Sequence, residues 1–170
     1  MPTGRHFRGT HFTMAYWLMK SEPAEVSIDD VLKQPDRSID WFGVRNYQAR
    51  NYMMRDMQVG DGVLFYHSSC AQPGIAGLAE VARPALPDET QFDSASPYYD
   101  SKSTRARPRW YNVAVRVTRK TRLLSLAELR GTAGLQDMRL LARGNRLSIL
   151  PVTPGEWKII LRCLGDSSGG

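Results

Sequence analysis

The clearest periodic signal lies at residues 110–118, where Tyr111, Val113, Val115 and Val117 alternate with Asn112, Ala114 and Arg116. Alternation of this kind predicts a strand with one face against a core. Residues 15–20 (Ala-Tyr-Trp-Leu-Met-Lys) predict another strand, ended by Ser21-Glu22-Pro23. A turn at Gly60-Asp61-Gly62 feeds a strand over 63–66, and a loop at Pro73-Gly74 feeds one over 75–82. Gly77 inside the latter predicts a bulge or a close backbone approach. A last strand falls at 147–152.

Helices are marked by their ends. Ser27 with Asp30 three positions on predicts an N-cap, and Pro35 stops the helix that follows. Residues 46–57 predict a helix with Tyr47, Asn51 and Met54 near one face and Arg50 on another. Ser125 opens a short helix through Arg130. Thr153, Pro154 and Glu156 predict the start of a final helix through Leu161. Residues 83–108 hold four prolines and Tyr98-Tyr99, and read as a long functional surface loop. Strict alternation of strand and helix is absent, which excludes a doubly wound sheet and favours an α+β fold, a small mixed β-barrel with short helices around it. The domain is expected over 14–164, with a flexible leader at 1–13 and a flexible tail at 165–170.

With 170 residues, the chain buries a core without metals or disulfides. Cys70 and Cys163 are expected as free thiols, and the three histidines have no metal-ligand spacing, so no metal or other cofactor is expected. No apolar run has membrane-spanning length and no signal peptide is visible. The expected location is the cytoplasm, or the nucleus in a eukaryote. The net charge is +6 and is unevenly spread. Residues 1–100 carry 9 Lys/Arg against 13 Asp/Glu, whereas 101–170 carry 14 against 4. A cationic face suited to a polyanion is one reading; a soluble protein of high pI is the other.

The densest chemistry sits in Trp41-Phe42-Gly43-Val44-Arg45-Asn46-Tyr47-Gln48-Ala49-Arg50-Asn51. Aromatic rings, amides and guanidinium groups at this density suit a site that stacks a flat polar ring and bonds its edge. Together with residues 16–23, Phe65-Tyr66-His67-Ser68, Gly74-Ile75-Ala76-Gly77, Pro108-Arg109-Trp110 and Leu147-Ser148-Ile149-Leu150-Pro151, this stretch resembles the EVE domains. The ordered set spans residues 15–162. Two departures stand out: Phe42 where an aspartate is common, and Ser101 where a proline is common.

The resemblance implies a PUA-like fold, a mixed, partly closed β-barrel with surrounding short helices. It also implies a non-catalytic reader of a modified base, with modified cytosine in DNA as the expected ligand. An RNA-binding module for modified tRNA or rRNA bases and a small nucleobase- or nucleotide-acting enzyme are the alternatives. The implied partner is DNA or RNA carrying modified bases, with restriction or RNA-modification machinery nearby and no membrane; the oligomeric state stays open.

A reader of this kind needs an aromatic plate, edge-bonding groups and cations for the flanking phosphates. Trp41 is the first candidate for the plate, with a core tryptophan as the alternative. Tyr98 and Tyr99 are candidates for an opposing wall. Lys20 and Ser21 correspond to a Lys-Ser at the pocket edge in the related YTH readers; Ser21 is otherwise a turn-stabilising hydroxyl. Asn46 is either a base-edge reader or a helix cap. Tyr47, Tyr66 and His67 complete the candidate pocket. Arg45, Arg50, Lys102, Arg105, Arg107 and Arg109 are candidates for phosphates. His67 beside Ser68 and near Cys70 invites a nucleophile reading, but neighbours on a strand face opposite ways, and no second histidine or GxSxG supports it.

Overall fold

The computed structural model describes residues 14–165. Its strands are β1 (Tyr16–Ser21), β2 (Ser38–Asp40), β3 (Gly62–His67), β4 (Gly74–Pro87), β5 (Tyr111–Ser125) and β6 (Ile149–Val152). They form one sheet in the order β2-β5-β4-β3-β1-β6. Only β1 and β3 run parallel; every other neighbouring pair is antiparallel. The terminal strands β2 and β6 do not pair with each other, so the expected barrel is instead an open sheet. Both edges are short, and Pro151 in β6 brings no N–H to a ladder, which suits an edge strand.

The helices are α1 (Ile28–Leu32), α2 (Tyr47–Asn51), α3 (Leu126–Arg130) and α4 (Pro154–Cys163). Side chains on a strand alternate between faces, and here both faces are covered. Trp17 and Met19 of β1 join Val63, Phe65, Val113 and Val115 on the face packed by α1 and α2. Leu18 joins Leu64, Tyr66 and Leu150 on the face packed by α3 and α4. Trp157 stacks on Tyr16 at 4.4 Å beside this second core. Trp17 donates from its indole to Asp61, which also accepts from the Gln58 amide, so the predicted Gly-Asp-Gly turn is pinned by a buried carboxylate.

Three helices start on complete capping boxes: Ser27 with Asp30, Ser125 with Glu128, and Thr153 with Glu156. In α2 the buried residue is Ala49, continued by Met53 and Met57, while Tyr47 and Met54 are exposed; the expected face is thus corrected. Residues 52–56 continue α2 with a π-turn. β4 and β5 are longer than predicted and swallow residues 83–87 of the expected loop. A register shift between Arg83 and Leu86 accommodates Pro84, and Pro87 stands at the end of β4. The expected leader and the tail from 166 onward lie outside the described residues.

Candidate functional site

The parallel strands β1 and β3 end side by side, with Ser21 opposite His67. Beyond the end of β1 lies a cavity of about 180 Å³. Four distant segments wall it: residues 20–22 with Glu25 and Val26, residues 39–45, Tyr98, and Ser148. Drug-sized pockets run about 300–1,000 Å³, so this one suits a single flat ring.

Trp41 lines the cavity although it is only 7% exposed. Its amide donates to the Val113 carbonyl, and Phe65 meets the indole edge-on at 5.3 Å from inside the core. The Trp41 indole is therefore held rigidly. Phe42 is a second aromatic of the lining, edge-on to Tyr98 at 5.8 Å. Tyr98 lies flat on Gly43, whose φ is +86° and where a Cβ would sit 2.8 Å from the ring. Only glycine meets both conditions.

The Tyr98 hydroxyl donates its one proton to the Glu25 carboxylate, whose oxygens lie 2.8 and 2.7 Å away, strapping the long loop to the turn after β1. Burial and then the Glu25 bond push the phenol up to about 12. Ser21 donates to the Val26 carbonyl, which closes that same turn, and its hydroxyl keeps lone pairs to accept from a ligand. Lys20 is half-buried, and desolvation lowers its pKa. Among the described residues no carboxylate pairs with it.

Other expected residues serve elsewhere. Arg45 borders the cavity, but its guanidinium donates to the carbonyls of Val44 and Tyr98, to Asp88 and to Thr90, which uses all five N–H groups. It is an anchor for the long loop and has no donor left for a phosphate. Asp88, fully buried, would be raised by burial, but bonds from Thr90, Gly43 and Arg45 hold its carboxyl below the usual range. Asn46 is the helix cap of its alternative reading: its Oδ1 accepts from Ala49 N–H at 3.0 Å. Tyr47, 51% exposed, stacks on Trp110 at 4.8 Å outside the cavity, with the Arg50 guanidinium 4.6 Å from its ring. Arg50 also donates to the Arg109 carbonyl and to Asn51.

Tyr66 is buried in the core on the opposite face of the sheet. His67 lies outside the cavity, because its Nε2 accepts from Ile28 N–H at 3.1 Å and so caps the first turn of α1. Burial, offset by Asp29, lowers its pKa. Tyr99 is exposed and absent from the cavity wall. In the basic stripe, Arg105 pairs with Glu89 at 2.9 Å and Arg109 approaches Asp100 at 3.7 Å, leaving Lys102 and Arg107 without a carboxylate among the described residues. The loop is ordered by buried Gln91, whose Oε1 accepts from the amides of Arg109 and Trp110 and from Ser103.

The cavity thus gathers Lys20, Ser21, Trp41, Tyr98 and, with its donors engaged elsewhere, Arg45 from the expected set, and adds Phe42, Glu22, Glu25 and Ser148. Phe42 had a signal, as a departure inside the densest motif. Glu22 and Ser148 lay inside segments that carry the resemblance but read as a turn residue and a strand residue, and Glu25 had no signal.

A family model described as "EVE domain" matches residues 15–163. Human thymocyte nuclear protein 1 is 42% identical over 165 residues, which cover 86% of this chain and 72% of that protein. A hypothetical protein from Leishmania major has a solved structure that superposes with a TM-score of 0.85 at 46% identity, covering 92% of this chain and 98% of that one. Human THYN1 protein, solved in complex with 5-methylcytosine-containing DNA, superposes with a TM-score of 0.81 at 41% identity, covering 88% and 96%. The open mixed sheet with its short helices is the PUA-like α+β fold of these relatives. On the extent of the model match and of these superpositions, the chain belongs to the EVE domain family.

Proposed function

We propose that this EVE domain reads a modified cytosine extruded from DNA into the Trp41 cavity. One observation carries the reading: a ring-sized hollow walled by the rigid Trp41 indole, with Phe42 and the Tyr98–Glu25 strap around it and Ser21 and Lys20 at its edge. The relative solved with methylcytosine DNA supports the ligand class. Extruding a base costs a few kcal/mol, and one aromatic stack returns about 1–3 kcal/mol, so edge bonds must supply the remainder. Ser21 and the carboxylates of Glu22 and Glu25 provide acceptors for an exocyclic amine, the group that separates cytosine from thymine.

Binding without turnover fits the same geometry. The lining holds no histidine and no cysteine, and the Ser21 hydroxyl is committed to a carbonyl rather than to a base.

The test is a binding panel of matched DNA and RNA oligonucleotides carrying cytosine, methylcytosine, hydroxymethylcytosine or thymine. Tighter binding of modified cytosine in DNA is expected. Trp41→Phe keeps an aromatic plate and retains preference, whereas Trp41→Ala weakens modified DNA by about 1–3 kcal/mol of lost stacking. Equal affinity across the panel removes the reading; preference for modified RNA transfers it to that polymer. Thermal melting of each variant separates lost stacking from lost folding.

A further inference from the structure

A second hollow, of about 450 Å³, adjoins the first and shares Lys20 with it. Its character is different. The base cavity is lined by three carboxylates, Glu22, Glu25 and Asp40, whereas among the described residues no carboxylate lines the second hollow. Lys20 comes to it from β1, Ser68 and Ser69 from the turn after β3, Arg130 from the end of α3, and Arg143 from the loop before β6. Among the described residues Arg130 has one hydrogen bond, a long one to the Leu141 carbonyl at 3.5 Å, and neither Arg130 nor Arg143 has an ion pair.

Three cations from three parts of the chain, converging without a counter-charge, repel one another. They lower that repulsion when an anion lies among them. Lys20 gives the location of that anion, since it stands at the junction of the two hollows. A nucleotide's phosphates are one sugar away from its base. A base seated against Trp41 therefore brings phosphates to the rim where Lys20 stands.

We propose that the groove of Lys20, Arg130 and Arg143 holds the DNA phosphates on one side of the extruded nucleotide. This rests on the reading of the Trp41 cavity as a base pocket. It moves the backbone contact from the 102–109 stripe, where two of four cations already face carboxylates, to the hollow that shares Lys20 with the cavity. Arg130 and Arg143 are exposed, and guanidinium groups bond phosphate oxygens in pairs.

The experiment compares the full chain with the double variant Arg130→Gln/Arg143→Gln, using one duplex with a single 5-methylcytosine and the same duplex without it, across a salt series. Both arginines are exposed, so unchanged melting is expected in the variant. Affinity should fall by the same factor for both duplexes, about fivefold per lost contact near physiological salt. The slope of log affinity against log salt should become shallower by about 1 per contact, and the methylated-to-bare ratio should stay unchanged. Lys102→Gln/Arg107→Gln serves as the control and should lose less.

Unchanged affinity and slope in the groove variant overturn the inference, even where methyl preference persists and the base-pocket reading stands. An equal or larger loss in the control overturns it too. If the parent chain shows no methyl preference yet the groove variant loses salt-dependent affinity, the base-pocket reading fails and the phosphate groove survives. Absence of DNA binding removes both.

Discussion

At the scale of single residues, the cavity depends on contacts that no local pattern announces. Tyr98 and Glu25 are 73 positions apart, yet their bond joins two walls. A phenol ordinarily ionises near 10. Here the neutral form is favoured, and the folded value rises to about 12, first through burial and then through Glu25. For an acid with a raised folded pKa the contribution to stability is whole below 10 and is lost as pH climbs through about 12. Glu25→Gln removes the second cause and leaves the first, so Tyr98 should ionise between 10 and 12. Tyrosinate absorbance, read as the difference between each protein and its Tyr98→Phe counterpart, checks this. Ionisation near 10 in the parent chain would mean the strap is absent in solution. Tyr98 was legible as an aromatic in the long loop, and Trp41 as an aromatic in the densest motif, and both line the cavity. Arg45 was misread, because its sequence neighbours do not reveal that Asp88, Thr90 and the Tyr98 carbonyl absorb its donors.

At the scale of elements, what could be read locally was read. Ser27 with Asp30, Ser125 with Glu128 and Thr153 with Glu156 carry their capping signal within four residues, and all three helices start there. β2 escaped notice because Ser38-Ile39-Asp40 has no periodicity of its own; pairing with β5 makes it a strand. His67 escaped for a similar reason, since its partner Ile28 lies 39 positions away. Its accepting Nε2 must be unprotonated, which couples α1 to pH. The folded pKa is lowered below 6.5, mainly by burial. As pH falls, the unfolded chain takes up the proton first, so stability is whole above 6.5 and declines as pH drops toward the folded value. His67→Gln keeps a hydrogen-bond acceptor that does not titrate. Urea midpoints measured from pH 8 down to 5 should fall less steeply in this variant than in the parent. Parallel curves would show that His67 does not couple α1 to pH. Methyl preference should persist in His67→Gln, because the imidazole is no part of the cavity wall.

At the scale of the whole molecule, the sheet gathers chemistry that the chain scatters. β1 lies one strand from the edge, and its end receives the turn after it, the stretch following β2, Tyr98 from the loop before β5, and Ser148 from the start of β6. The excess of cations in the second part of the chain was legible as a count. Which of them meet in the hollow beside the cavity was not, since Arg130 and Arg143 are brought to Lys20 only by α3 and the last loop. This assembly dictates how binding should register across the fold. A ligand seated against Trp41 contacts backbone from several segments at once and should slow their amide exchange together. Hydrogen exchange with saturating methylated duplex should protect residues 22–26, 40–45 and 96–100 as one set. The hollow around His67, Cys70 and Lys120 is a separate cavity on this reading, and its amides should exchange as in the free protein. Protection centred on 67–72, with 40–45 unaffected, would place the ligand in that other hollow and remove Trp41 from the site. Ligand binding also adds to stability by mass action, about 2.7 kcal/mol at a hundredfold excess over Kd, so the same complex should melt several degrees higher than the free chain. The two readouts answer different questions: the melt reports that something binds, and the exchange pattern reports which of the two hollows holds it.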